Sequence, residues 1–160
     1  MAASSRTDPR IALLLDVVDG AFSGKSWHGA SLRGSLRGLQ PRTALWRPGP
    51  DRRNIWEYFL HAAYWKLIVR RWVSGDRSLR FERKPRVWPA PGRTAADLRR
   101  DIALLQAEHH SFRAAVRAFA PARLNRKAGK AWTYAKLIHG VAAHDLHHTG
   151  QIQLLKKLAG

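Results

Sequence analysis

Cysteine is absent from this 160-residue chain. That removes disulfides, thiolate metal ligands and a cysteine nucleophile together. Acidic side chains are scarce too: 11 Asp and Glu stand against 29 Lys and Arg, a formal net charge of +18. The basic residues are nevertheless spread along the whole chain, in pairs such as Arg70–Arg71, Arg99–Arg100 and Lys156–Lys157. With no block of five or more like charges and no nucleic-acid-binding motif, the charge reads as a solvated, Arg-rich surface, and nucleic acid is not the expected partner. Long hydrophobic runs are also missing. The longest near the N-terminus, Ile11–Leu15, is broken by Asp16 and Asp19. It is too short for an export signal, and nothing approaches the ~20 apolar residues of a membrane span. A cytoplasmic protein without a membrane partner is the expectation.

What the chain does have is apolar mass and helical spacing. Hydrophobic residues make up 45% and there are seven tryptophans, enough for one core, so residues 1–160 are expected to form a single domain. Proline falls at 9, 41, 48, 50, 85, 89, 91 and 121, leaving Asn54–Val73, Thr94–Ala120 and Ala122–Gly160 free of it. Apolar residues three and four apart in these segments predict amphipathic helices. Asn54-Ile-Trp-Glu57 and Thr94-Ala-Ala-Asp97 read as capped starts, Pro9 suits a first turn of a helix to about Phe22, and the last helix is expected from Trp132 or Thr133 to Lys157. Ser31–Leu39 is a further helical candidate. Strand-like alternation and internal repeats are lacking, so the fold class is all-α, a four-helix bundle. Residues 40–53 and 74–93 are too rich in Pro, Gly and Arg to be regular. The second, carrying Phe81 and Trp88, is either a lid over a site or a packed surface loop.

Of eight histidines, four crowd into one stretch: His139, His144, His147 and His148. Residues four apart on a helix are separated by only ~40° around the axis and ~6 Å along it. His144 and His148 can therefore aim at one metal ion, whereas His147 is ~100° away from His148 and is left out. The spacing is like that of zinc proteases, but Asp145 is one methylene short for their general base. Thr149–Gly160 offers no third ligand, so one must come from another helix. His61 is the best candidate, on a mid-helix face shared with Trp65 and Ile68 that a bundle would bury. Three imidazoles leave coordination positions open, as catalytic sites do, and they suit Zn, Ni or Fe without choosing among them. His28, His109, His110 and His139 are expected to pack or face solvent.

These residues resemble a family. Helix-borne His61 in Ile55-Trp-Glu57…His61-Ala-Ala-Tyr-Trp-Lys66, then Asp145…His148-Thr-Gly150-Gln151-Ile152, is similar to the DinB-like superfamily of bacterial metalloproteins, and Ser26-Trp-His-Gly29 fits one branch of it. The resemblance implies an up-down-down-up bundle, often a homodimer, with its metal on His61, His144 and His148. It further implies transferases and isomerases that use low-molecular-weight thiols; a chain without cysteine would take such a thiol as co-substrate.

Three neighbours are candidate catalytic groups. Asp145 either orients a ligand imidazole or pairs with a cation across the bundle. Gln151 is placed to donate to a metal-bound water. Glu57, four before His61, is either a fourth ligand or base, or simply the acid that completes a cap. Gly140 and Gly150 inside the last helix cost ~1 kcal/mol each, for which close approach of a neighbouring backbone is the expected reason. The leading functional expectation is a metal-dependent transferase or hydrolase acting on a small molecule. A non-catalytic metal-binding stress protein comes second, and a basic nucleic-acid-binding module third.

Overall fold

In a computed structural model, residues 7–160 are described. Residues 1–6 of the expected 1–160 domain lie outside them. Helix α1 runs Pro9–Phe22, with the Asp8 carboxylate accepting from the Arg10 backbone N–H. Two short helices follow, α2 at Leu32–Ser35 and α3 at Pro41–Leu45. Helix α4 spans Ile55–Ser74, α5 Ala95–Arg117 and α6 Tyr134–Leu158. Among the described residues there is no strand, only an isolated bridge between Lys127 and Thr133.

Local chemistry explains the boundaries. At α4 the Asn54 side chain accepts from the Glu57 N–H while Glu57 accepts from the Asn54 N–H, each at 2.9 Å, a complete capping box. Gly75, at φ 78°, closes the same helix in a left-handed conformation that favours glycine. Thr94 and Asp97 form the second box, and Thr133 caps α6. Two expectations need correction. The 40–53 stretch is not wholly irregular, because Pro41 at a first turn starts α3. Only Leu32–Ser35 of the 31–39 candidate is α-helical. Helix α5 keeps within its proline-free segment, ending at Arg117 before a 3-10 turn at Pro121–Arg123.

The long helices pack in a ring, α4 against α5 and α6, and α1 against α5 and α6. Along α4 and α5, Trp56 meets Asp101 and Arg70 meets Glu108. Between α1 and α5, Asp19 pairs with Arg113 and Phe22 stacks on His109. Between α4 and α6, Tyr58 lies beside His148 and Trp65 beside His144. One apolar cluster gathers Phe22, Trp56, Phe59, Leu60 and Ile152; a second gathers Ile11, Val18, Phe112, Ile138 and Val141. Beyond Ser74, the last residue of α4, segment 74–93 has no helix or strand, yet it is tied down. Phe81 is buried, and Arg83 donates to Asp101 at 2.5 Å. No helix among the described residues is long and apolar enough to cross a membrane.

The two helical glycines do not behave as expected. A Cβ at Gly140 or Gly150 would meet nothing within 4 Å, so no neighbouring backbone presses on either.

Candidate metal centre

Helix α4 brings His61 to the α4–α6 contact, and α6 brings His144 and His148 one turn apart. One ring nitrogen from each lies within 4.8 Å of the others. His144 and His148 face each other Nε2 to Nε2 at 3.0 Å. His61 is centred 5.0 Å from His144 and 5.1 Å from His148. Two of the rings have their outer nitrogen occupied. His61 Nδ1 donates to the Val87 carbonyl at 2.6 Å, and His148 Nδ1 donates to Gln151 Oε1 at 2.6 Å. Those bonds place the proton on Nδ1 and leave the Nε2 lone pair inward, the arrangement in which a supporting acceptor orients a metal-binding imidazole.

Electrostatics points the same way. Burial depresses all three histidines below their usual value. His144 falls to about 3, helped by repulsion from His148 and His61. His148 falls to about 4 because burial outweighs its bond to Gln151. For His61 burial likewise outweighs the hydrogen bond to Val87. At neutral pH the rings are uncharged, as nitrogen ligands must be. At 3.0 Å the two Nε2 atoms either share a proton that His144 donates to His148, or turn both lone pairs to a cation. The donor set therefore fits a divalent transition ion.

Around this cluster the environment is aromatic. Trp88 stacks on His61 at 3.8 Å with planes 7° apart, and Tyr58 lies 5.2 Å from His148. Segment 74–93 thus lies over the histidines, through Val87 and Trp88. The face shared by His61, Trp65 and Ile68 is less buried than expected. His61 is buried, but Trp65 stays 37% exposed and forms a wall beside the site. Beside Trp65 a cavity of about 370 Å³ is lined by Trp65, Val69, Trp132, Leu137, Gly140 and His144, with Lys136 and Val141.

The three neighbours fall in different places. Asp145 is buried and ion-paired with Lys66 of α4, so it pairs with a cation across the bundle. Its other oxygen, Oδ1, has no partner. Gln151 is bonded to the His148 ring itself. Glu57 is held by Arg53 at 3.0 Å, by Arg47 at 2.7 Å and by the Asn54 N–H. Burial works to raise its pKa, but these hydrogen bonds win and hold the carboxyl below its usual value. That is the capping role. His147, His139, His110 and His28 are exposed and outside the cluster, while His109 is buried against Phe22.

Sequence reasoning missed Lys66 and the Val87 carbonyl, and it named Trp88 only as part of a segment that is either a lid or a packed loop. Lys66 left a signal, a lysine on the buried face of α4 among Ala62, Ala63 and Val69. Val87 left none, and Trp88 no partner, since an irregular segment has no periodicity from which to read direction.

A sequence model described as the DinB superfamily matches residues 26–152, a span that contains all three clustered histidines. No curated protein and no solved structure matches the chain. With four long helices, a three-histidine cluster between the second and last of them, and a match over most of its length, the chain belongs to the DinB superfamily.

Proposed function

We propose that this protein binds one divalent transition metal (Zn, Ni or Fe) through His61, His144 and His148 and is a metal-dependent enzyme acting on a small molecule. The observation that carries the reading is the convergence of three neutral ring nitrogens within 4.8 Å, two of them oriented from behind by Val87 and Gln151. A bound metal would lower the pKa of a water, or hold a thiol as thiolate, which suits hydrolase or low-molecular-weight-thiol transferase chemistry. The protein's own part is to keep the rings neutral by burial and to fix their tautomers. Tyr58 and Trp88 shield one side of the cluster from water. Gln151 is a positioning residue for His148, Asp145 acts through its pair with Lys66, and Glu57 supports the helix that carries His61.

Catalysis rather than metal storage is favoured by the apolar cavity that opens against His144. A closed, purely structural site needs no such space. The up-down-down-up course is supported by the side-chain pairs. Partners advance together along α4 and α5, and run oppositely between α4 and α6 and between α1 and α5. Residues 1–160 are read as one domain, and a homodimer has support in the exposed Leu13, Leu154 and Leu158.

Elemental analysis of protein purified without a nickel column tests the metal. About one ion per chain is expected, and little in His148→Ala, because losing one of three ligands weakens binding severely. Turnover of electrophiles with a panel of small thiols tests catalysis. Full metal occupancy with no turnover across the panel would move the reading to a non-catalytic metal protein.

A further inference from the structure

Gly140 is the starting point. It sits in the middle of α6, one turn before His144, where glycine is less favourable than alanine. No backbone presses on it, and a Cβ there would meet nothing within 4 Å. It does, however, line the cavity beside His144. The missing side chain keeps that cavity open.

The cavity continues. A second one, also about 370 Å³, shares Trp65, Val69, Trp132 and Leu137 with the first and extends past Trp72 to Gly129 and Lys130. Together they form a groove that begins at a histidine of the cluster and runs along α4 and α6 toward the 128–132 turn. Three tryptophans line it, 65, 72 and 132. Each cavity is of a size typical for small-molecule sites, and the walls are chiefly apolar and aromatic, as in such sites.

Its only charged lining residues are cations. Lys136 belongs to the first cavity and Lys130 to the second, and no carboxylate lines either. The Lys136 ammonium stands 4.6 Å over the Trp132 ring, which holds it at the groove instead of leaving it free in solvent. A ligand complementary to this surface has an apolar or aromatic body and a single anionic group.

The geometry points to a substrate groove for an elongated aromatic or aliphatic molecule bearing a carboxylate or similar anion. Its apolar body lies on Trp65, Trp132 and Leu137 over Gly140, its anion meets Lys136 and Lys130, and its other end reaches His144. As an assignment of substrate class it rests on the reading of the histidine cluster as a catalytic metal site. As a binding groove it stands on its own walls.

The test is calorimetric titration with three probes of one shape, 4-phenylbutyrate, 4-phenylbutanamide and 4-phenylbutylamine, with metal content measured in parallel. The acid is expected to bind best and the amine worst. Lys130→Ala/Lys136→Ala should lower the preference for acid over amide by about two- to fivefold per lysine, the range of an exposed ion pair. Gly140→Leu fills the groove and should weaken the acid at least about tenfold while metal content stays at the parent level. Far-UV circular dichroism at the parent level is the folding control for Gly140→Leu. Equal binding of the three probes by the parent, or unchanged binding by Gly140→Leu, overturns the groove. The probe series on the parent decides this even if a variant fails to fold. Protein that binds the acid selectively but holds no metal supports the groove and refutes the metal reading; full metal with no acid binding does the reverse.

Discussion

Replacing Lys66 by methionine removes the only partner, among the described residues, of a carboxylate that the fold has taken out of water. Lys66 is 0% exposed and Asp145 1%, and the ammonium donates to Asp145 Oδ2 from the opposite helix. Burial pushes Lys66 below its usual value and Asp145 above its own, and each is held back by the attraction of the other. Once the cation is gone, Asp145 neutralises instead of staying charged. Protonating a carboxyl of ordinary pKa 3.8 at pH 7 costs about 1.4 kcal/mol for each of roughly three pH units, about 4 kcal/mol in all. The expected loss for Lys66→Met is therefore about 3–5 kcal/mol, the range for orphaning one member of a buried pair. The double variant Lys66→Met/Asp145→Leu removes both charges and should recover most of it, because desolvation of the pair no longer has to be offset. Urea unfolding followed by far-UV circular dichroism measures all three. The sign of the pH dependence provides a second check. In Lys66→Met the folded-state pKa of Asp145 is raised further above its unfolded value. The folded chain then binds more protons over that window, and the deficit shrinks as pH falls from 7 toward 4. A loss below about 1 kcal/mol for Lys66→Met, or a double variant no more stable than Lys66→Met, would refute the reasoning.

Gln151→Leu removes the acceptor behind the His148 ring and should weaken metal binding about 10- to 100-fold, measured by competition with a chromogenic chelator. Gly150→Ala, on an exposed position with open space for a Cβ, should raise stability by about 0.5–1 kcal/mol in urea titrations. His109 is held neutral by burial, its pKa lowered from 6.5 to about 3, so it binds a proton on unfolding long before it does when folded. The stability it contributes is complete above pH 6.5 and is lost as pH falls toward 3. His109→Phe should flatten part of that slope in a pH series of thermal melts. Arg83→Ala cuts the tie between the 74–93 segment and Asp101, and limited proteolysis within 82–92 should speed up while the circular dichroism of the bundle is unchanged.

Much of this protein is legible along the chain because helix ends and helix faces are local. Asn54 with Glu57, Thr94 with Asp97, and Pro9 behind Asp8 mark starts that the structure reproduces, since each cap bonds within four residues. The convergence of His144 with His148 is equally local, a consequence of 3.6 residues per turn. The α4 face that carries His61 is legible only in part. His61 is buried, but its face-mate Trp65 borders an open cavity.

What the sequence could determine by itself was an all-helical chain with a histidine pair at helical spacing and a third histidine on another helix, because those features depend on contacts one turn long. Tertiary structure alone decided that Lys66 would meet Asp145, 79 residues away, that Val87 and Trp88 would close on His61, and that Gly140 would open a groove instead of admitting a backbone. These depend on which helices become neighbours and on how an irregular segment crosses them. No local periodicity encodes either.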